Sequence, residues 1–185
     1  MTLAMGRRAF LAGAAGVLLT SGAQAAPAKT AQGLLRAARP RSLKLHNLQT
    51  GERLSEVYWV DGDYVAGCLE RIDWLLRDHR CEETRTIDHK LLDLLHSLTR
   101  RLDYNGAVEV ISGYRSPATN RMLAEHGRRV APNSLHTRGM AVDIRLPGRN
   151  LTAVRDAAQQ LAGGGVGYYR RAKFVHLDTG GVRYW

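Results

Sequence analysis

Two histidines and one aspartate, in two short segments, could together hold a metal ion. His136 and Asp143 lie in the stretch Ser134–Asp143, and His176 lies in the stretch Phe174–Gly180. Two imidazoles and one carboxylate are typical of catalytic zinc sites, because three protein ligands leave a fourth position open for water. Zinc lowers the pKa of such a water to about 7, and the hydroxide can attack a carbonyl carbon. A zinc hydrolase is therefore one hypothesis, provided that the three side chains meet in space; the alternative is that they have no shared role, because histidines and aspartates occur throughout the chain.

The spacing of apolar residues predicts that two strands carry the aspartate and the second histidine. In residues 139–146 alternate positions are large and apolar, and Asp143 lies on the opposite face of that strand. In residues 173–178 His176 likewise lies on the polar face. If the strands are neighbours with their apolar faces on one core, both side chains emerge on a shared polar face. His136 would then join them from the loop that precedes the first strand.

The remaining apolar patterns predict an α+β domain. The predicted elements, in chain order, are a hairpin around residues 49–51, a helix over 64–78, a helix over 87–102 capped by Thr86, a strand over 107–112, a helix from Pro117 to His126 capped by Ser116, a strand over 139–146, a helix over 151–161, and strands over 166–169 and 173–178. Helices followed by strands of this kind indicate a single domain in which a small antiparallel sheet packs with helices.

The first 25 residues are typical of a secretory signal peptide. Arg7 and Arg8 precede an apolar run over residues 10–19, and Ala23–Ala25 supplies small residues suited to cleavage. The paired arginines resemble the twin-arginine type. A transmembrane helix needs about 20 apolar residues, and this run is roughly half as long, so a retained anchor is the less favoured alternative. We therefore predict a cleaved signal peptide, no stable membrane anchor and a periplasmic protein.

The rest of the chain divides into a leader and one domain. Residues 26–41 are rich in alanine, arginine and lysine and lack apolar periodicity, which indicates a flexible basic leader. Residues 42–185 are long enough to form one domain with a full core.

The chain is strongly basic, and this limits its partners. Its formal net charge is +10, and residues 1–25 carry only two arginines and no acidic residue, so the remainder keeps +8. A basic exported protein is attracted to nucleic acid, to anionic lipid or to the carboxylate-bearing cell wall. The predicted compartment favours the wall, and the alternative is a solvated basic surface with no such partner. Nucleic-acid binding is disfavoured, because the sequence shows neither an aromatic stacking motif nor a basic recognition helix.

The two cysteines are predicted to stay unpaired. The segment between Cys68 and Cys81 is predicted to be helical, and thirteen helical steps would separate their Cα atoms by roughly 19 Å. A disulfide requires about 7 Å or less. We therefore expect two isolated, buried thiols.

Several segments resemble the zinc signature of the LAS group of murein peptidases. The residues that carry the resemblance are Ser134-x-His136-x-x-Gly139-x-Ala141-x-Asp143, then Val175-His176, and upstream Ser112-Gly113-Tyr114-Arg115-Ser116 with Asn120. That group includes D-Ala-D-Ala carboxypeptidases and dipeptidases, and it shares a fold with Hedgehog signalling domains. Together with the final Arg183-Tyr184-Trp185, the pattern most resembles the YcbK/MepK branch of exported murein endopeptidases, over roughly residues 41–185.

The resemblance implies roles for particular residues. His136, Asp143 and His176 would be the zinc ligands, and the fold would be Hedgehog-like or D,D-peptidase-like. Arg115 would bind a carbonyl or carboxylate of the substrate and stabilise a developing oxyanion, with a surface ion pair as the alternative.

Two further residues of the motifs are candidates for substrate binding. Ser134 would hydrogen-bond the substrate or orient its loop, with a turn-forming serine as the alternative. Tyr114 would line the groove, or would only cover the core.

One position departs from the pattern of the group. Many relatives carry Glu or Asp three residues before the last zinc histidine, as the general base. Here that residue is Lys173, which cannot accept a proton when it is protonated. Asp178 is the candidate base, because it lies two residues from His176 on the same strand face. Its alternative role is to orient the histidine ligand.

These inferences together predict a zinc-dependent murein endopeptidase that hydrolyses D,D- or L,D-peptide cross-links between the stem peptides of peptidoglycan. Two alternatives stay open. One is a zinc-containing module that binds peptidoglycan or regulates without turnover, an alternative that Lys173 keeps open. The other is a D,D- or L,D-carboxypeptidase. The type of cross-link and the oligomeric state also stay open.

Overall fold

Eight β-strands and four α-helices make up the part of the chain that the structure describes, residues 39–127 and 130–185 of a computed structural model. The strands are β1 (Arg41–Asn47), β2 (Arg53–Val60), β3 (Asp63–Tyr64), β4 (Val108–Ser112), β5 (Ala141–Arg145), β6 (Gly165–Tyr169), β7 (Phe174–Asp178) and β8 (Arg183–Tyr184). The helices are α1 (Ala66–Leu75), α2 (His89–Arg101), α3 (Pro117–Glu125) and α4 (Leu151–Leu161). The predicted signal peptide over residues 1–25, and nearly all of the predicted leader, lie outside the described residues.

The strands form one mixed sheet in the order β3-β2-β1-β4-β5-β7-β6-β8. Neighbouring strands are antiparallel except for the pairs β1–β4 and β6–β8, which are parallel. The predicted α+β class is confirmed, but the prediction of a small antiparallel sheet is wrong. After β3 the chain passes through α1 and α2 and enters the sheet again as β4 on the other side of β1, and this crossover makes β4 parallel to β1. A likeness to Hedgehog domains and D-Ala-D-Ala peptidases stays a prediction.

The hydrophobic core combines residues of the sheet with residues of α1, α2 and α4. Leu95 of α2, Ile144 of β5 and Val175 of β7 are all fully buried in it. Since side chains alternate along a strand, the residues next to Ile144 and Val175 point to the opposite face of the sheet. That alternation assigns the core to one face and leaves the other face of β5 and β7 for the polar residues.

The start of α2 differs from the prediction that Thr86 caps it. The N-cap is Asp88, whose carboxylate accepts hydrogen bonds from the backbone N–H of Lys90 at 3.0 Å and from the hydroxyl of Thr179 at 2.6 Å. Ile87 precedes the helix as a buried residue. An ionised carboxylate at the N-cap satisfies an unpaired N–H and favours the positive end of the helix dipole, which is the physical reason that the helix begins after Asp88.

Other local predictions are confirmed. The hydroxyl of Ser116 caps α3 by accepting from the backbone N–H of Thr119 at 3.1 Å, and Pro117 occupies the first helical position. Helix α4 has the predicted bounds, and β1 and β2 form the predicted hairpin. The two-residue strand β8 was not predicted, because so short a segment has no alternation to detect.

The cysteines do not form a disulfide, as predicted. Cys68 is buried as expected, but Cys81 is exposed, so the prediction that both thiols are buried is wrong for Cys81. Helix α1 ends at Leu75, and Cys81 lies beyond it in a surface loop. Among residues 39–127 and 130–185, no helix has the length and apolar character needed to cross a membrane.

Candidate metal centre and substrate cleft

Strands β5 and β7 are antiparallel neighbours, and their register places Asp143 directly opposite His176. Directly opposed residues share one face of the sheet, with Cβ atoms about 5 Å apart. The inference that these two strands are adjacent is therefore confirmed. The pairing brings two of the three predicted ligands together through backbone hydrogen bonds alone.

The third residue, His136, comes from a 3-10 turn over Leu135–Arg138 that precedes β5. The turn ends at Gly139, whose φ of +69° lies in the left-handed region that favours glycine. A Cβ at Gly139 would also lie 2.6 Å from the carbonyl oxygen of Thr86. Gly139 therefore permits the close approach that directs His136 toward the strands.

The side-chain atoms of the three residues converge on one point. The Nε2 of His136 lies 3.2 Å from the Nδ1 of His176 and 3.4 Å from the Oδ1 of Asp143. The Nδ1 of His176 lies 2.8 Å from the same oxygen of Asp143. All three residues are buried. Among the described residues, they are the one group of side chains placed closely enough to hold a metal ion.

The outer nitrogens of both imidazoles face hydrogen-bond acceptors. The Nδ1 of His136 lies 2.7 Å from the carbonyl oxygen of Gly113, and the Nε2 of His176 lies 3.0 Å from the Oδ2 of Asp178. A proton on each outer nitrogen would satisfy these acceptors, and in that tautomer of a neutral imidazole the inner nitrogen has a lone pair.

Two such lone pairs and a carboxylate oxygen in one place repel each other unless a cation lies between them. In a zinc tetrahedron with metal–ligand distances of about 2.0–2.2 Å the ligand atoms are about 3.3–3.6 Å apart. The observed separations of 2.8–3.4 Å are close to that spacing. The donor set therefore fits a divalent metal ion of the zinc type.

The electrostatics of the centre favour a positive charge beside the carboxylate of Asp143. Burial by itself would raise the pKa of Asp143, but His136 and His176 outweigh it and hold that pKa well below the usual range. Burial would lower the pKa of His176, but its hydrogen bonds with Asp143 and Asp178 hold that pKa above the usual value. The centre thus keeps a carboxylate ionised while it is almost completely buried.

Asp178 lies behind His176, away from the other two ligand residues, and is completely buried. Its carboxylate accepts hydrogen bonds from the guanidinium of Arg183 at 2.7 and 3.0 Å and from the backbone N–H groups of Gly165 at 3.1 Å and Gly180 at 2.9 Å. Burial would raise its pKa, but His176 and Arg183 hold that pKa far below the usual range. Both carboxylate oxygens are thus already occupied by donors.

Arg115 lies in the wall of the same cleft and is buried. Its backbone N–H donates to the carbonyl oxygen of His136 at 3.2 Å, and its guanidinium donates to the side chains of Asn120 at 3.2 Å and Ser112 at 3.3 Å. Burial lowers the pKa of Arg115, and the charge of Asp143 acts in the opposite direction. The guanidinium therefore lies beside the metal centre with neutral hydrogen-bond partners.

The other two candidate substrate residues lie in different places. Ser134 lines the cleft, and its side chain does not cap the 3-10 turn that follows it. Tyr114 is buried in the core, where its hydroxyl donates to the carboxylate of Glu83, and burial raises its pKa to about 12. Lys173 is exposed in the turn between β6 and β7. The structure thus brings Ser134 to the centre and places Tyr114 beneath the cleft wall.

The cleft has a volume of about 530 Å³, and its lining includes residues to which the sequence motifs assign no functional role. Arg80 and Trp185 both line it. The indole ring of Trp185 lies 5.3 Å from the imidazole of His176, and its N–H donates to the hydroxyl of Tyr169 at 3.0 Å. Arg80 follows α1 in a segment without apolar periodicity, so no sequence pattern marked it. Trp185 belongs to the final tripeptide that the resemblance included.

This arrangement can be compared with known proteins. The family model described as "Peptidoglycan L,D-endopeptidase MepK" matches residues 35–185, which include the metal centre and the whole cleft. The chain belongs to this family. Membership confirms the predicted branch of murein peptidases, and it confirms a peptidase of peptidoglycan as the class of enzyme.

Curated relatives match along most of their length. The probable peptidoglycan L,D-endopeptidase MepK of Haemophilus influenzae is 40% identical over 148 residues, which cover 80% of each chain. The peptidoglycan L,D-endopeptidases MepK of Escherichia coli K12 and of Shigella flexneri are each 42% identical over 147 residues, which cover 80% of this chain and 81% of theirs. No solved structure matches this chain significantly.

Proposed function

We propose that this chain is a zinc-dependent L,D-endopeptidase that hydrolyses peptide cross-links in peptidoglycan. The observation that carries the proposal is the convergence of His136, Asp143 and His176 with separations of 2.8–3.4 Å in a family of peptidoglycan L,D-endopeptidases. When bound by these three residues, zinc would act as a Lewis acid and would lower the pKa of water for attack on an amide.

The chain's own residues bind and position the substrate. The guanidinium of Arg115 is buried beside Asp143 and has neutral hydrogen-bond partners, so it can donate to a substrate carbonyl and stabilise the negative charge that develops there. Ser134 lies in the same wall of the cleft and can hydrogen-bond the peptide backbone. The backbone of Arg115 is bonded to that of His136, and Ser134 lies two residues before His136, so both substrate contacts would be placed relative to the metal through His136.

We assign Asp178 to positioning rather than to proton transfer. It lies on the far side of the His176 ring, and both its oxygens accept hydrogen bonds from protein groups. A carboxylate in this place fixes the ring orientation and keeps the proton on the outer nitrogen. Asp178 is also absent from the described residues that line the cleft, among which Asp143 is the one acidic residue.

We also propose a periplasmic location for this protein. Hydrolysis of peptidoglycan requires export, which agrees with the signal peptide predicted over residues 1–25 and with the basic charge of the rest of the chain. The twin-arginine route stays a prediction. Cell fractionation with and without Arg7 and Arg8 replaced by Lys would test it, since retention of the double variant in the cytoplasm is the expected result.

The decisive experiment combines sacculus digestion with separation of the muropeptides. We expect the zinc-loaded protein to reduce L,D-cross-linked species and to leave D,D-cross-linked species unchanged. His136→Ala and Asp143→Ala should abolish the reaction and the binding of zinc, because each variant removes one of only three protein ligands.

Different outcomes separate the competing functions. Cleavage of the D,D-cross-links alone would contradict the L,D assignment, whereas release of a terminal residue with intact cross-links would indicate a carboxypeptidase. Binding to sacculi with no product at all, by a protein that contains one equivalent of zinc, would indicate a module without turnover.

A further inference from the structure

The cleft carries more positive than negative charge. Its wall contains three arginines, Arg80, Arg115 and Arg183. Among the described lining residues, Asp143 is the one acidic residue. Arg183 is neutralised by its paired hydrogen bonds with the buried carboxylate of Asp178. If Asp143 is a metal ligand, its charge is offset by the ion. Arg80 and Arg115 then remain as the cationic residues of the cleft wall whose charge is not closely neutralised.

Arg115 forms no ion pair with a described carboxylate, and Arg80 forms only a long one with Asp78. Arg115 donates to an amide oxygen and a hydroxyl although it is buried. The guanidinium of Arg80 approaches Asp78 only to 3.9 Å, and 39% of its side chain remains exposed. Burying an arginine without an anionic partner is costly. An anionic ligand in the cleft would offset that cost.

The two arginines are held in one frame by Asp78. This carboxylate accepts from the backbone N–H of Ser116 at 2.9 Å, next to Arg115, and from the backbone N–H of Arg80 at 3.2 Å. The backbone N–H of Tyr114 also donates to the carbonyl oxygen of Leu76 at 2.7 Å.

The loop that carries Arg80 is thereby attached to the segment that carries Arg115. Asp78 is 1% exposed, and its carboxylate accepts hydrogen bonds from these backbone N–H groups. Such a frame fixes the backbone of both arginines relative to the metal centre before substrate arrives.

We propose that Arg80 is a specificity residue that binds a free carboxylate on the leaving-group side of the scissile amide, next to Arg115, which binds the carbonyl. This inference rests on the proposed L,D-endopeptidase function. When the leaving amine belongs to the D-centre of a diamino diacid in the cross-link, the carbon bonded to that nitrogen carries a carboxylate. The carboxyl carbon is therefore two bonds from the leaving nitrogen, where a guanidinium in the cleft wall can reach its oxygens.

The chemistry of arginine suits this role. A planar guanidinium offers two parallel N–H donors to a carboxylate, and such charge-assisted pairs are about twice as strong as neutral hydrogen bonds. A carboxamide at the same position has one oxygen and no charge, and its NH₂ group would face the donors of Arg80. The cleft should therefore discriminate between substrates that are free or amidated at this carboxyl.

The test uses two cross-linked peptides that differ only in whether this carboxyl is free or amidated. We expect the zinc-loaded wild-type protein to cleave the free acid with a kcat/KM about 10- to 100-fold higher. Arg80→Gln should lose most of that preference through a lower kcat/KM for the acid, with nearly unchanged kcat/KM for the amide. Arg80→Lys, which keeps the charge but not the planar fork, should fall between them.

Arg100→Gln is the matched control, because Arg100 is exposed in the last turn of α2 and lies outside the residues of the cleft. It makes the same change in net charge and should behave as the wild type. Zinc content and the unfolding midpoint should be equal for all the variants, which separates a loss of specificity from a loss of structure.

The outcomes distinguish this inference from the function on which it rests. If the wild type cleaves neither peptide, the proposed function fails and the inference with it. If the wild type cleaves both peptides equally well, or if Arg80→Gln keeps the full preference for the acid, the inference is overturned while the endopeptidase function stands.

Discussion

Replacing Asp178 by Asn tests whether this residue positions a metal ligand or transfers a proton. Its two oxygens accept five hydrogen bonds, from His176, from Gly165, from Gly180 and twice from Arg183, at 2.7–3.1 Å. An asparagine has one oxygen, and its NH₂ group cannot accept. Whichever way the amide is turned, at least two donors lose their acceptor.

The smaller loss arises when the NH₂ group takes the place of Oδ2, which faces His176 and one nitrogen of Arg183. The Nε2 proton of His176 then meets another donor, and the ring gains by moving that proton to Nδ1. That nitrogen is the one directed at Asp143 and the metal centre. The substitution therefore converts a lone pair that could bind metal into an N–H group.

The expected result is a loss of zinc affinity of about 10- to 100-fold, which corresponds to about 1.4–2.7 kcal/mol. Competition with a chromophoric chelator measures the affinity, and kcat is then measured with zinc in excess. If Asp178 only positions His176, the zinc-saturated variant should recover most of the wild-type kcat. Asp156→Asn, at an exposed position on α4 that contacts Arg155, is a control with the same change in charge.

The opposite pattern of zinc affinity and kcat would refute the assignment of Asp178 to positioning. Unchanged zinc affinity together with a kcat reduced by several orders of magnitude, even at saturating zinc, would make Asp178 a proton-transfer residue. Equal loss of affinity in Asp156→Asn would show that net charge, and not the contact with His176, determines metal binding.

Three further predictions follow from local contacts. Gly139→Ala should lower the free energy of unfolding by about 1–3 kcal/mol in urea titrations, because alanine at a φ of +69° is strained and its Cβ would collide with a backbone carbonyl; a change below about 0.5 kcal/mol would contradict this. Asp93 accepts hydrogen bonds from two tyrosines and an arginine, and although burial would raise its pKa, the arginine and the tyrosines lower it below the usual value. Its stabilising contribution is therefore fully present above the unfolded pKa of about 3.9 and is lost as the pH falls through the folded value. Asp93→Asn should thus lower the free energy of unfolding by about 1–3 kcal/mol at pH 7 and by less near pH 3. Equal losses at the two pH values would contradict this prediction. Because the Trp185 ring lies 5.3 Å from His176, binding of Co²⁺ should quench part of the tryptophan fluorescence, and Trp185→Phe should remove that quenching; full quenching in the variant would exclude Trp185 as the reporter.

Much of the site follows from local sequence patterns, because local geometry fixes which way each side chain points. Alternation along a strand assigns Asp143 and His176 to the polar face whatever the neighbouring strands are. The helix cap at Ser116 and the turn at Gly139 depend on interactions within a few residues, and both were predictable for that reason. The cap of α2 was mispredicted, because Asp88 also bonds to Thr179, a contact between residues far apart in the chain.

The sequence by itself determined the three residues that could bind metal, the family they resemble and the arginine beside them. Only the tertiary structure decided that β5 and β7 pair in the register that opposes Asp143 to His176, that Asp178 is enclosed by Arg183 behind the ring, and that Arg80 enters the same cleft. The physical reason is that strand pairing and charge contacts depend on which distant segments meet. The alternation within one strand carries no information about its neighbour, and a lone arginine in a loop has no pattern at all until the chain brings it to the cleft.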